Sequence, residues 1–174
     1  MHHHHHTHSL SWKHLKSHPI CLASVIYNIL VVAVEIIILA FVTHMDFHDM
    51  LGYEGIMQLI HLVGIILLTV LNYWWIHTWS IHEDTKSQAT AKFFWVSVII
   101  FILHIILLHI IPRVIGFELH HHDEAANSET VEYVALGAII LFVTLAFRYK
   151  EAILQALNIK NKYIFRLQAE KNKE

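Results

Sequence analysis

Four long apolar runs constrain this chain more than anything else in it. Ile20 to Val42 gives 23 residues, Ile56 to Ile76 gives 21, Phe93 to Ile111 gives 19 and Val131 to Phe147 gives 17. An α-helix rises 1.5 Å per residue, so about 20 residues cover the roughly 30 Å hydrocarbon layer of a bilayer. Each run is therefore expected to cross a membrane as a helix, which also satisfies its own backbone groups. A cleaved signal peptide in place of the first run would need a shorter core and a small-residue cleavage site. Phe41-Val42-Thr43-His44 is neither. The expected fold class is all-α, an integral membrane four-helix up-down bundle. A hydrophobic fraction of 56% agrees with that class, and five Gly and two Pro suit long helices with short connections.

Charge sets the expected orientation and the division of the chain. Residues 1–19 form a His-rich N-terminal tail, 20–147 the transmembrane domain and 148–174 a charged helical tail. The two tails and the middle loop hold eleven of the twelve Lys and Arg residues, and the first and third loops hold only Arg113. The positive-inside rule then puts both termini and the middle loop on the cytoplasmic side of a plasma membrane. Trp74, Trp75, Trp79 and Trp95 fall at that inner interface as an aromatic belt. His2 to His8 read either as a tag or as a native His-rich tail, and carry no weight for the fold.

Within the runs, polar residues recur at helical spacing. Asn28 and Glu35 share a face of the first, and Gln58, His61, Thr69 and Asn72 form a stripe on the second. Ser97 and His104 share a face of the third, and Gly137 and Thr144 a face of the fourth. Such seams are expected to turn inward, away from lipid. By depth, Glu35, His61 and His104 can meet at one level in the outer half of the bundle. His109 lies five positions past His104 and so points about 140° away on an ideal helix. It can join the set only if the third helix is rotated or bent. Ionisable groups at such depth are functional candidates, with packing by hydrogen bonding as the plainer alternative.

A second candidate site lies on the outer loops. His44 and His48 flank Asp46 in the first loop, and His120, His121, His122 and Asp123 follow one another in the third. Loops at the same end of an up-down bundle are neighbours, so these residues are candidate ligands for copper or zinc. Imidazole suits those ions, and carboxylates add attraction for a cation. Eight acids lie on that side, Glu129 and Glu132 among them. A merely polar, acidic tract is the alternative.

Other classes find no support. One cysteine, Cys21, excludes an intrachain disulfide framework or a multi-cysteine metal site. A formal charge of −2 leaves no nucleic-acid footprint. Phosphate-binding glycine loops, nucleophile elbows and HExxH are absent from the sequence.

The stretches Tyr53-Glu54-Gly55-Ile56, Val98 to His109 and Tyr133 to Leu141 resemble the phosphate-starvation-inducible E family of small four-helix membrane proteins. The resemblance runs from about Val31 to Arg148, and His120 to His122 and the His-rich tail depart from the family's pattern. It implies a topology more than an activity.

The first functional expectation is a non-catalytic helical subunit of a larger membrane complex, accessory to a metalloenzyme such as a copper-dependent monooxygenase. Its partners would be the lipid bilayer and other membrane subunits, or further copies of itself. The alternatives are a stand-alone metal-ion or proton transporter relaying through Glu35, His61 and His104, and a haem b electron carrier using His61 and His104.

Overall fold

The computed structural model describes residues 11–42, 53–79, 85–116 and 122–173, with side chains described over 11–40, 55–79, 85–116 and 128–173. Among these, all regular structure is helical. The helices are α1 (Trp12–Ser17), α2 (Pro19–Ile37), α3 (Tyr53–Trp79), α4 (Lys86–His104), α5 (Ile111–Val114), α6 (His122–Arg148) and α7 (Lys150–Asn172).

Local chemistry sets several of these boundaries. The Ser11 hydroxyl accepts the His14 N–H at 3.2 Å and caps α1. His18 sits at φ −126° and ψ 84° because the Pro19 ring bars its predecessor from helical geometry. Pro19 then opens α2, where a missing N–H costs nothing. At the start of α4, Thr85 accepts the Gln88 N–H at 3.2 Å, and the Gln88 side chain accepts the Thr85 N–H at 3.0 Å. That is a reciprocal capping box. Gly116, with φ 88°, ends the turn after α5 in a conformation that suits glycine.

Two helices widen into π-helical turns, Ile38–Val42 after α2 and Ile105–Ile110 between α4 and α5. In the second, the Ile111 N–H donates to Ile106 O, five residues back. Pro112 lies just beyond. It has no N–H to donate, and its ring crowds the carbonyl four residues earlier, so the tight α-helical turn is disfavoured there.

Four helical stretches are long and apolar enough to cross a membrane: Pro19–Ala40, Gly55–Trp79, Lys86–Val114 and Ser128–Arg148. They pack around one core, α2 and α4 each lying against both α3 and α6. Phe93 and Val96 are fully enclosed there, with Ile65, Ile76 and Cys21 beside them. Tyr27 meets Phe93 edge to face, ring centroids 5.5 Å apart. α3 and the π turn of α4 approach closely at Gly64, where a Cβ would meet Leu108 Cδ2 at 2.7 Å. On α6 the buried stripe is Glu132, Leu136, Ile140 and Val143. Gly137 and Thr144, the seam expected on this helix, lie on the flank of that stripe: a Cβ on Gly137 would stand 3.9 Å from Phe101, and Thr144 Oγ1 is buried. α7 is exposed along its whole described length.

Candidate metal centre

A cluster of histidines and acids assembles from all four long helices at one end of the core. α2 supplies Glu35, α3 supplies His61, α4 and its π turn supply His104 and His109, and α6 supplies Glu129 and Glu132. Glu132 is the hub. Its Oε2 lies 2.8 Å from His61 Nε2, and its Oε1 lies 3.1 Å from His104 Nε2 and 2.6 Å from His109 Nε2. His104 Nε2 and His109 Nε2 are 3.0 Å apart. One ligand atom from each of His61, His104, His109 and Glu132 falls within 4.8 Å of all the others, so this group could hold a metal ion.

The π turn accounts for His109. Five residues on an α-helix turn the side chain about 140° off the face. A turn closed by bonds to the fifth residue back brings the side chain round to its starting face. His104 and His109 thus stack, ring centroids 5.0 Å apart and planes 18° apart. Single π-helical turns of this kind occur frequently at functional sites.

Neighbouring groups fix the orientation of the imidazoles. His109 Nδ1 lies 3.2 Å from Glu129 Oε1, and Glu129 is in turn ion-paired with Arg113. A proton on Nδ1 donated to Glu129 leaves the Nε2 lone pair facing Glu132, which is the arrangement of carboxylate-backed metal ligands. The Tyr133 ring walls His109 at 5.2 Å, and Phe101 lies 6.2 Å from His104. Glu35 is 4% exposed; its Oε2 stands 3.5 Å from His61 Nε2, and its Oε1 is buried without a hydrogen-bond partner among the described residues.

Lone-pair atoms 2.6 to 3.1 Å apart need a cation among them, either a proton or a metal. Ligands about 2.0 Å from a tetrahedral ion are about 3.3 Å from one another. The observed spacings are short of that by a few tenths of an ångström, so small outward rotations of the side chains would admit an ion. Three neutral imidazoles and one carboxylate suit zinc and copper.

Of the candidate residues read from sequence, the structure brings Glu35, His61, His104 and His109 together. His44, Asp46, His48, His120 and His121 lie outside the described residues. His122 and Asp123 begin α6, but their side chains also lie outside the described set. Sequence reasoning counted Glu129 and Glu132 among the outer acids and did not place them in the site. The signal was present, since Glu132 leads the apolar stripe that continues at Leu136, Ile140 and Val143.

Two further polar groups lie along the same core. Asn72, fully buried, accepts from Ser24 Oγ at 2.9 Å and Asn28 Nδ2 at 3.1 Å, and donates to Ser97 Oγ at 3.2 Å. At the opposite end from the metal centre, the His14 ring lies 4.5 Å from that of His18 and 4.9 Å from that of His77. Burial, then His18 and His77 alongside, hold the His14 imidazole below its ordinary value of 6.5, so it is neutral at pH 7.

No family model, curated protein or solved structure matches the chain.

Proposed function

We propose that the chain is an integral membrane protein, an up-down four-helix bundle that binds one zinc or copper ion between His61, His104, His109 and Glu132. The observation that carries this is the convergence of three Nε2 atoms on one buried carboxylate. Ionisable groups are costly in hydrocarbon, so a buried cluster of this size is a functional site by default.

The membrane reading is supported by the outward faces of the long helices. Ile29 is 62% exposed, Leu67 64%, Phe142 66% and Val134 67%, and such residues recur along every span. Continuous apolar surface of that extent calls for lipid or a partner. Alternating helix direction is supported by the order of the polar levels. Glu35 follows Asn28 on α2, whereas His61 precedes Asn72 on α3. Ser97 precedes His104 on α4, and Glu132 lies near the start of its span. The charge asymmetry of the loops supports cytoplasmic termini.

The fully exposed α7, 23 residues long, offers a docking surface and supports a role as a metal-carrying subunit of a larger membrane complex. A haem carrier is not part of the proposal, because the Glu132 carboxylate occupies the space between His61 and His104.

The test is a calorimetric titration of Zn²⁺ into the full-length protein with His2 to His6 and His8 changed to Ser, so that the tail supplies no ligands. One ion per chain is expected, with affinity at least tenfold lower in Glu132→Gln and fading below about pH 6, where imidazole protonates. Binding without a plateau, or unchanged by that substitution, would overturn the proposal.

A further inference from the structure

The metal centre is one of three polar levels that follow one another along the core. Seven residues of α2 separate Glu35 from Asn28, about 10 Å of helix. The second level is the hydrogen-bonded set of Ser24, Asn28, Asn72 and Ser97. The third is the His14, His18 and His77 cluster beyond it, about 15 Å of helix from Asn28 to His18.

What lies between the first two levels is thin. Val31, Ile65, Ile100 and Leu136 form an apolar layer, and beside it is a partly open cavity of about 20 Å³. A space of that size admits about one water molecule. His104 lines the cavity from the metal centre, while Asn28 and Thr69 also line it.

Two unsatisfied atoms make this more than a stack of packing contacts. Among the described residues, Asn28 Oδ1 is buried without a hydrogen-bond partner, as is His14 Nε2 in the third level. A purely structural polar layer would be expected to satisfy its buried acceptors, since each unmet one costs stability. Asn28, which lines the cavity, and His14 beyond it both carry lone-pair atoms that a passing cation can bind. The His14 ring lies 4.5 Å from that of His18 and 4.9 Å from that of His77, so imidazoles line the far end of the path.

We propose that the ion bound between His61, His104, His109 and Glu132 is cargo, and that it passes along the core through the Asn28 level to the His14, His18 and His77 cluster. The chain is then a conduit for a divalent transition-metal ion, with the apolar layer as its barrier and Asn28 as the group that carries the ion across it. This rests on the metal-binding reading above.

The experiment reconstitutes the full chain into liposomes loaded with a zinc-responsive dye and adds Zn²⁺ outside, with Zn²⁺ affinity measured in parallel. The wild-type chain should raise internal zinc well above protein-free liposomes. Asn28→Leu should lower the initial rate at least tenfold while leaving affinity within about threefold. Should Asn28→Leu fail to assemble, the double substitution His14→Ala and His18→Ala, on half-exposed residues outside the spans, takes its place. It should lower the rate at least fivefold while the affinity of the site between His61, His104, His109 and Glu132 stays within about threefold. Tight Zn²⁺ binding without flux in the wild-type chain would overturn the conduit and leave a resident metal. Flux unchanged in the assembled variants would also overturn it. Absence of Zn²⁺ binding altogether would instead overturn the metal-binding reading beneath it.

Discussion

Replacing Asn72 by leucine tests whether the second polar level holds the helices together. Leucine keeps the branching at Cγ and removes every polar atom. Three hydrogen bonds go with it, from Ser24 at 2.9 Å, from Asn28 at 3.1 Å and to Ser97 at 3.2 Å. Side-chain hydrogen bonds between membrane helices contribute about 0.6 kcal/mol each, so the three together amount to about 2 kcal/mol. Were the level in a water-soluble core, three newly stranded partners would cost about 1–3 kcal/mol each, roughly 3–9 kcal/mol in all. The assay is reversible unfolding in mixed micelles, with Thr144→Val as the control. Thr144 Oγ1 is buried without a partner among the described residues, so its removal should be neutral or slightly stabilising. A loss below about 0.5 kcal/mol for Asn72→Leu would refute the reasoning from membrane hydrogen bonds, as would a loss no larger than that of Thr144→Val.

Three other outcomes follow from the same structure. Glu129→Ala removes the carboxylate behind His109 Nδ1 and should weaken zinc binding about 10- to 100-fold, read by competition with a chelating dye. Pro112→Ala should let the π turn over Ile105–Ile110 tighten and swing His109 away from His104 by about 140°. Zinc affinity should then fall at least tenfold, and unchanged affinity would mean that Pro112 does not maintain the turn. Cysteines placed at Asp46 and His121 should react with an impermeant thiol reagent on intact cells, whereas cysteines at Lys86 and Lys162 should not; the reverse pattern would invert the proposed topology.

The helical class was legible because apolar runs near 20 residues leave few other structures open to them. The inward placing of Glu35, His61, Asn72, Ser97 and His104 was legible for a related reason. A few polar residues at helical spacing in an apolar helix mark the face that turns from lipid. His109 was only conditionally legible, because its place depends on a change of helical winding that periodicity at 3.6 residues does not contain. A spacing of five between two histidines, with Pro112 three residues on, is the local sign of it. Glu132 was misplaced for another reason. It stands at the edge of its apolar run and reads as loop charge until the stripe through Leu136, Ile140 and Val143 is followed back to it. Gly137 and Thr144 mark only the flank of the buried face of α6, whose centre is the stripe from Glu132 to Val143.

The central claim is that three imidazoles and a carboxylate in the core bind one ion, and X-ray absorption at the zinc edge reads that directly. With His2 to His6 and His8 changed to Ser and one equivalent of Zn²⁺ added, the spectrum should show four N/O ligands at about 2.0–2.1 Å. Multiple scattering should count three imidazoles, falling to two in His104→Ala and in His61→Ala. A spectrum with at most one imidazole, or one that neither substitution changes, would contradict the account.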